Sequence, residues 1–178
     1  ADAVSINVDV APPDLAYAGQ NIEICNQTTV NLDALTSQYG TGQWTAVGGG
    51  TIIDPTMATT LVTNLPQDTS YFVWTLSNGT CADYSTDTVA VVVSLATGTA
   101  DAGNNQVVCS VNSITLSAVA PPVGIGTWSQ TAAQAAQGIT IVDANDPNTQ
   151  VVGLTSGNAY AFTWTLSNGT CLDYASDI

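Results

Sequence analysis

Apolar and polar residues alternate along short stretches of this chain, and turn-forming residues separate the stretches. Phe72, Trp74 and Leu76 occupy every second position of one stretch, and residues 86–95, TDTVAVVVSL, continue the alternation after an Asn-Gly turn. A period of two is typical of β-strands that bury one face, whereas a helix would place apolar residues three or four positions apart. The pattern predicts an all-β protein of antiparallel strands, and no segment has a convincing helical period.

The landmark residues occur twice in the same order, which indicates an internal repeat. The segment WTLSNGTC covers residues 74–81 and returns unchanged at residues 164–171. Further landmarks recur as Cys25 and Cys109, Leu32 and Leu116, Trp44 and Trp128, and Phe72 and Phe162. Short strands with regular turn signals predict two tandem immunoglobulin-like antiparallel β-sandwiches. The second copy is longer because it contains residues 131–138, TAAQAAQG, which we expect to form a surface loop.

The two repeats differ in their last strand. We expect module 1 to span residues 11–96, with residues 86–95 as its last strand, and module 2 to span residues 97–178. The last strand of module 2 would begin where the sequence reaches Asp177. Residues 1–10, ADAVSINVDV, carry the alternation of that strand. Val4, Ile6, Val8 and Val10 stand at the positions of Val89, Val91, Val93 and Leu95.

Module 2 is therefore predicted to lack its last strand in cis. Such a sandwich exposes an apolar groove and unpaired backbone groups. We expect the N-terminal strand, residues 1–10, to complete module 2 of another copy by strand addition, which would join copies head to tail. One alternative is that these residues are a window of a longer tandem array, which predicts the same interface. The other is an incidental boundary with a frayed N-terminus.

The four tryptophans have two interpretations. Trp44, Trp74, Trp128 and Trp164 could stack on sugars or pack in the cores. Their positions within alternating apolar rows favour the cores.

The four cysteines fall into one pair for each repeat. We predict the disulfides Cys25–Cys81 and Cys109–Cys171, because each bond then stays within one repeat. Loops of this length would stabilise the fold by roughly 4 kcal/mol each in the chain-entropy model. Metal-binding thiolates are the alternative, but the sequence contains neither a C-x-x-C segment nor any His. Disulfides imply an oxidising, extracellular environment.

The charge of the chain restricts its partners. Its 178 residues include 14 acidic residues and no Lys, Arg or His, so the formal net charge is −14. A chain without cationic side chains cannot neutralise a phosphate backbone, which excludes nucleic acid as a partner. We find no stretch of about 18 apolar residues, so we expect no membrane insertion.

The same composition removes most catalytic chemistry. His, Lys and Arg provide the usual bases, amine nucleophiles and anion-binding groups, and none is present. Two carboxylates can hydrolyse a glycosidic bond when they face each other across a cleft. The Asp residues of this chain lie in turn-like segments instead, so we predict that the protein is not an enzyme.

Several short motifs together resemble a known family. Asp101-Ala102-Gly103 precedes Cys109, and Asp146-Pro147 precedes the second WTLSNGTC segment. With the G-x-G-x-W segments, this order resembles the Ig-like and PKD-like repeats of giant Bacteroidota surface adhesins exported by the type IX system. That family includes gliding-motility adhesins and grappling-hook filaments. The resemblance implies long fibres of Ig-like modules on the cell surface or outside the cell.

Calcium is the candidate cofactor, because it takes oxygen ligands and this chain is rich in Asp and Asn. The candidate ligands are Asp143, Asn145 and Asp146 in DANDPN, Asp83 with Asp87, and Asp173 with Asp177. None of these groups has the spacing of an EF-hand loop. Roles in Asx turns and caps are the alternative for these residues.

Three positions match glycosylation patterns. Asn78 and Asn168 begin N-G-T sequons, and Thr88 lies in an Asp-Thr-Val segment that resembles a Bacteroidota O-glycosylation pattern. Turn formation explains the two N-G-T segments equally well without sugar.

These features favour a structural subunit or repeat of an extracellular filament or long surface adhesin, used for attachment or for contact with other cells or prey. Its main partner would be another copy of itself, and its target another cell surface or a glycan. No cofactor is required for this role. The competing hypothesis is a calcium-dependent adhesin module that binds a glycan or a protein.

Overall fold

A computed structural model describes residues 3–6, 8 and 14–178. The chain divides into two compact units, with the boundary between Ser94 and Leu95. We call the residues up to Ser94 unit 1 and the residues from Leu95 to Ile178 unit 2, and we describe each unit separately.

Unit 1 is a sandwich of two sheets. Its strands are β1 (Ile22–Cys25), β2 (Val30–Asp33), β3 (Thr41–Val47), β4 (Thr51–Ile52), β5 (Thr59–Thr63), β6 (Asp68–Asn78) and β7 (Cys81–Ser94). One sheet has the order β1-β7-β6-β3 and the other the order β2-β5-β4. The pairs are antiparallel except that β1 runs parallel to β7, which differs from the all-antiparallel prediction. No hairpin joins these two strands, so chain connectivity does not force them to be antiparallel.

Unit 2 repeats this arrangement with one strand fewer. Its elements are β8 (Ser113–Thr115), β9 (Ile125–Gln130), α1 (Ala132–Ala136), β10 (Thr140–Ile141), β11 (Gln150–Val152), β12 (Phe162–Asn168) and β13 (Cys171–Asp177). Its sheets have the orders β13-β12-β9 and β10-β11-β8. Strands β8–β13 therefore correspond in order to β2–β7. The prediction of an all-β, Ig-like fold is confirmed.

The tryptophans form the centre of each core, as predicted. Trp44 and Trp74 are 2% and 1% exposed, with their ring centroids 5.0 Å apart, and Trp128 and Trp164 are 3% and 1% exposed at 5.1 Å. Each indole N–H donates to a backbone carbonyl, so no polar atom of the ring is left without a partner. Rings this buried offer no face for a sugar to stack on.

The insertion in unit 2 contains a short helix, which corrects the prediction that no helix would form and that residues 131–138 would be a loop. Thr131 caps helix α1 in a capping box with Gln134: the Thr131 side chain accepts from the Gln134 backbone N–H, and the Gln134 side chain accepts from the Thr131 backbone N–H. The alanines between and after them favour helix. A helix of five residues is too short to display a period in the sequence. No helix in the described part of the chain has the length and apolar character needed to cross a bilayer.

Two glycines leave room for the buried indoles. A methyl group on Gly126 in β9 would overlap the ring of Trp164, and one on Gly42 in β3 would overlap the ring of Trp74. Neither glycine has a positive φ, so close packing, rather than backbone conformation, explains the residue.

We expect Gly126→Ala to lower the free energy of unfolding by about 1–3 kcal/mol, the usual range for overpacking a dense core. Urea denaturation followed by tryptophan fluorescence measures this change. Ser129→Ala, an exposed position in the same strand, is the control and should change stability by no more than about 0.5 kcal/mol. Equal effects of the two substitutions would contradict the packing role of Gly126.

Candidate functional site: an open groove in unit 2

The second half of β7 is the central strand of its sheet in unit 1. Val91 lies opposite Ser70 on β6 and opposite Ile22 on β1, so its backbone has neighbours on both sides. Val89, Val91 and Val93 point into the core and are 1%, 0% and 4% exposed. This half-strand therefore completes both the sheet and the core.

Unit 2, up to Ile178, contains no counterpart of that half-strand. Asp177, the last residue of β13, lies opposite Trp164, as Asp87 lies opposite Trp74 in unit 1. The segments that would flank the half-strand are not strands either. Residues 158–161 precede β12, whereas β6 begins four residues earlier in the repeat, at Asp68. Residues 103–109 have no strand, although they correspond to the stretch that contains β1.

An open groove of about 450 Å³ occupies the corresponding place in unit 2. Its walls are residues 103–108 and 158–162, and Ile178 lies at one end. Its apolar floor reaches the core. The floor residues are Leu116, Trp128, Leu154 and Phe162.

Two floor residues of the groove are slightly more exposed than their counterparts in unit 1. Phe162 and Leu116 are each 7% exposed, whereas their counterparts Phe72 and Leu32 in unit 1 are fully covered at 0%. Val108, the counterpart of the partly buried Ile24, is 52% exposed. The groove is therefore an apolar surface that the equivalent strand covers in unit 1.

The groove is electrically neutral along its sides. Its lining contains amides, hydroxyls and apolar side chains but no Asp or Glu. The Tyr160 hydroxyl hydrogen-bonds the Thr155 hydroxyl at 2.9 Å and accepts from the Thr155 backbone N–H at 3.1 Å. The Thr155 side-chain hydrogen bond is the main reason that the pKa of Tyr160 is lowered. A groove lined by amides, hydroxyls and apolar side chains, with backbone along its sides, has groups that an extended peptide can contact.

The predicted donor residues lie exposed where the structure describes them. Val4, Ile6 and Val8 are 86%, 81% and 83% exposed. Residues 3–6 have no regular secondary structure. Val10, the fourth donor position, lies outside the described residues.

The predicted disulfides within each repeat are wrong. Cys25 and Cys171 are disulfide-bonded, whereas Cys81 and Cys109 carry free thiols. In unit 1, Cys25 lies opposite Ser94, at the far end of β7 from Cys81. At about 3.3 Å per residue the two ends of β7 are on the order of 40 Å apart, whereas a disulfide requires Cα atoms within about 7 Å.

The second repeat begins in a similar way. Cys171 begins β13, and Ala102 is hydrogen-bonded to Asp177 at the other end of that strand. After Ala102, residues 103–108 line the groove, and Cys109 follows them. Spacing along the sequence places both cysteines in one repeat, but it cannot show at which end of the sandwich each one lies.

The DANDPN loop uses its oxygens in turns. Asp143 Oδ1 accepts from the Asn145 N–H at 2.9 Å, and Asp146 Oδ1 accepts from the Asn148 N–H at 2.8 Å. Asn145 Oδ1 accepts from the Thr127 hydroxyl at 3.2 Å. The contacts of Asp143 and Asp146 are Asx turns, the alternative role to calcium binding for these residues.

The Asp residues after each cysteine have structural partners. Asp83 and Ser77 bond reciprocally across the unit 1 hairpin, and Asp173 bonds in the same way to Ser167 in unit 2. Asp87 Oδ2 accepts from the Ala18 N–H and Asp177 Oδ2 from the Ala102 N–H, both at 2.8 Å. Within the described residues, no three acidic or Cys side chains come together as a metal site. Calcium binding stays a prediction.

The glycosylation candidates occupy different environments. Thr88 is exposed on β7, whereas Asn78 is half-buried at the end of β6. Asn168 is also half-buried, and its side-chain N–H donates to the Leu95 carbonyl at 2.9 Å. Glycosylation at these positions likewise stays a prediction.

A cluster of hydrogen bonds around Asp14 was not predicted from the sequence. Asp14 accepts hydrogen bonds from the Ser37 hydroxyl at 2.7 Å, the Gln38 N–H at 3.1 Å and the Tyr84 hydroxyl at 3.0 Å. Its partners are distant in sequence and have no shared motif, so no local signal could have revealed it. The Ser37 hydrogen bond is the largest cause of the lowered pKa of Asp14.

Comparison with solved structures found similar domains. The extracellular domains 3–5 of Drosophila OTK match with a TM-score of 0.51 at 10% identity, over 85% of this chain and 55% of that one. The solution structure of the PKD domain from KIAA 1837 protein matches with a TM-score of 0.41 at 20% identity, over 51% of this chain and 96% of that one. No protein-family model matches the sequence, and no curated protein matches it.

The architecture and the first of these matches define the class: this is a protein of Ig-like β-sandwiches. The chain spans about half the length of that OTK structure. At 10% identity the likeness concerns the fold alone.

We expect the contribution of Asp14 to the free energy of unfolding to decrease as the pH falls. Its pKa in the folded state lies below the ordinary value of 3.8. The carboxylate therefore stabilises the fold fully above that value, and the stabilisation is lost as the pH falls through the lowered pKa. Asp14→Asn should be less stable than the wild type at neutral pH, and the difference should shrink in acid, as measured by urea denaturation.

Ser37→Ala provides the matched control, because it removes the principal cause of the shift. An NMR titration should then find the pKa of Asp14 closer to its ordinary value. A pKa of Asp14 at or above that value in the wild type would contradict the role of the cluster.

Proposed function

We propose that this chain is a structural, non-enzymatic module of an extracellular filament or long surface adhesin, and that its copies join head to tail by strand addition. The N-terminal residues 1–10 of one copy fill the groove of unit 2 of the next. The open groove, together with a segment of this chain that has the sequence pattern of its missing strand, carries the proposal. The fibre serves attachment to other cells or surfaces, as the resemblance to type IX-exported Bacteroidota adhesins suggests.

The side chains of the donor match the positions that the groove leaves open. Val4, Ile6 and Val8 replace the buried valines at positions 89, 91 and 93 of unit 1. Burying a Val or Ile side chain contributes roughly 1.5–3 kcal/mol. All three are almost fully exposed in the single chain, so strand addition removes apolar surface from water on both partners.

The backbone on both sides of the groove also supports the proposal, because it is free to pair with an added strand. In unit 1 the half-strand pairs antiparallel with β6 on one side and parallel with β1 on the other. The corresponding backbone segments in unit 2 are residues 158–161 and 106–109, which belong to no strand. An added strand would give both walls a neighbour and extend β12 towards the length of β6. Hydrogen bonds along the whole strand would resist pulling along the fibre.

An extracellular location agrees with the chemistry of the chain. Cys25 and Cys171 are oxidised to disulfide, which is characteristic of secreted and surface proteins. The chain has no Lys or Arg, so trypsin has no site to cleave.

We expect deletion of residues 1–10 to abolish lengthwise association. The substitution Ile6→Asp should weaken association by about 100-fold or more, because it removes roughly 3 kcal/mol of apolar burial and introduces a charge into the groove. Light scattering over a concentration series measures both effects. Ile53→Asp is the matched control, since Ile53 is 62% exposed and lies outside the donor segment.

A peptide with the sequence of residues 1–10 should bind the deletion variant, and the same peptide with Ile6→Asp should not. Isothermal titration calorimetry distinguishes the two. Association that survives the deletion, or a peptide that fails to bind, would refute strand addition.

We expect salt to strengthen the association. Every copy carries a formal charge of −14 with no cationic side chain, so copies repel each other and cannot form ion pairs between side chains. Raising the ionic strength from about 0.01 M to about 0.1 M shortens the Debye length from about 30 Å to about 10 Å and should lower the dissociation constant. Analytical ultracentrifugation checks this.

Calcium chloride at the same ionic strength is the comparison for sodium chloride. A similar effect of the two salts indicates screening alone, whereas a much larger effect of calcium would indicate a specific site. Association that weakens with added sodium chloride would contradict a joint made of apolar and backbone contacts.

A further inference from the structure

Two cysteines of the chain remain as thiols, one in each unit. Cys81 begins β7 in unit 1 and is half-buried. Cys109 follows the wall of the groove in unit 2 and is exposed, with its sulfur 3.7 Å from the Ser110 hydroxyl. A free exposed thiol is chemically unstable in an oxidising environment, so these two positions require an explanation.

Neither thiol is paired with the other cysteine of its own repeat, because Cys25 and Cys171 are disulfide-bonded and Cys81 and Cys109 are not. In unit 1 the strand β7 separates the cysteine positions by its full length, which is several times the span of a disulfide. The bond that uses Cys81 or Cys109 must therefore be made to a cysteine outside that repeat.

The repeat shows that both positions can carry a disulfide. Cys109 is the counterpart of Cys25, and Cys81 is the counterpart of Cys171. Cys25 and Cys171 are the cysteines that are disulfide-bonded. The backbone after each groove-side cysteine is also alike, because Asn26 and Ser110 both have φ of 53°. Cys109 thus has the local geometry of a cysteine that is oxidised elsewhere in the same chain.

We infer that Cys109 of one copy forms a disulfide with Cys81 of the next copy, which locks the head-to-tail joint covalently. This inference rests on the proposed strand addition, because the donor strand is what brings the two thiols together. The partner of Cys109 is thus Cys81 in a second copy of this chain.

The position of Cys109 relative to the donor follows from unit 1. There Cys25 lies opposite Ser94 on β7. In the alignment of residues 1–10 with residues 86–95, position 9 corresponds to Ser94. A donor strand in the register of β7 therefore places its ninth residue opposite Cys109.

The position of Cys81 in the incoming copy follows from unit 2. There the carbonyl of Leu95 accepts from the Asn168 side chain, and Asn168 lies opposite Cys171 in the hairpin. Position 10 corresponds to Leu95, and Cys81 to Cys171. A joint built like the contact between Leu95 and the unit 2 hairpin would therefore bring the hairpin that carries Cys81 to the tenth position of the donor, directly after the position opposite Cys109.

The bond requires an external oxidant, for which a small-molecule disulfide such as oxidised glutathione suffices. The Cys109 thiolate attacks that disulfide, forms a mixed disulfide and releases one thiol. The Cys81 thiolate of the next copy then attacks the Cys109 sulfur, forms the joint and releases the second thiol. Two cysteine thiols are oxidised, one external disulfide is reduced to two thiols, and the protons are balanced.

Oxidation of the whole chain by oxidised glutathione, followed by a non-reducing gel, tests the inference. The wild type should give a ladder of covalent multimers. Cys81→Ser alone and Cys109→Ser alone should each stay a covalent monomer, whereas an equal mixture of the two variants should give a dimer and nothing larger. Mass spectrometry after Asp-N digestion should identify the Cys109–Cys81 peptide pair.

Covalent dimers from either single variant alone would indicate a symmetric pairing and overturn the inference. Absence of covalent multimers from the wild type would overturn it as well. A thermal melt of each variant checks that its fold is retained, and Ser110→Ala, which keeps both thiols, is expected to form the same ladder as the wild type.

The double variant Cys81→Ser with Cys109→Ser separates this inference from the proposed function. If it associates in light scattering but the wild type forms no covalent multimers, the disulfide is refuted and strand addition stands. If it does not associate although the wild type forms the ladder, the covalent link exists but strand addition, from which it was inferred, is refuted. If the double variant does not associate and the wild type forms no multimers, both are refuted.

Discussion

The structure depends on a strand in the middle of a sheet. The second half of β7 has hydrogen-bonding neighbours on both edges and its valines on the core. An edge strand could be removed with little effect on the core, but the loss of a central strand opens the sheet and the core together. Unit 2 differs from unit 1 at this position: β12 is shorter, unit 2 has no counterpart of β1, and Phe162 and Leu116 on the floor of the groove are slightly more exposed than their counterparts.

The composition of the chain restricts how copies could join in the proposed filament. Without Lys, Arg or His, no contact between copies could gain from pairing of side-chain charges, and the copies would repel each other. Affinity must then come from apolar burial and backbone hydrogen bonds, which act only at short range and in one register. A joint of this kind is selective, because side chains alternate with period two and a shift by one residue would turn the apolar row away from the core.

The alternation of residues such as Phe72, Trp74 and Leu76 was sufficient to predict the strands, the sandwich class and the burial of the tryptophans, because burial of one face imposes a period on the sequence. The short helix α1 was missed, because one capping box and a few alanines do not make a period. The cysteine pairing was wrong, because distance along the chain does not show which end of a sandwich a residue occupies. The Asp14 cluster joins residues about 70 positions apart in sequence, and only the folded chain reveals such contacts.

The helix-bearing insertion of unit 2 lies between β9 and β10, and none of its residues lines the groove. Its N-terminal capping box is formed by Thr131 and Gln134, both within the segment. If the proposed fibre forms, this segment could therefore change in length and chemistry without altering the groove that receives the donor strand. The insertion would then be a place where modules vary independently of assembly.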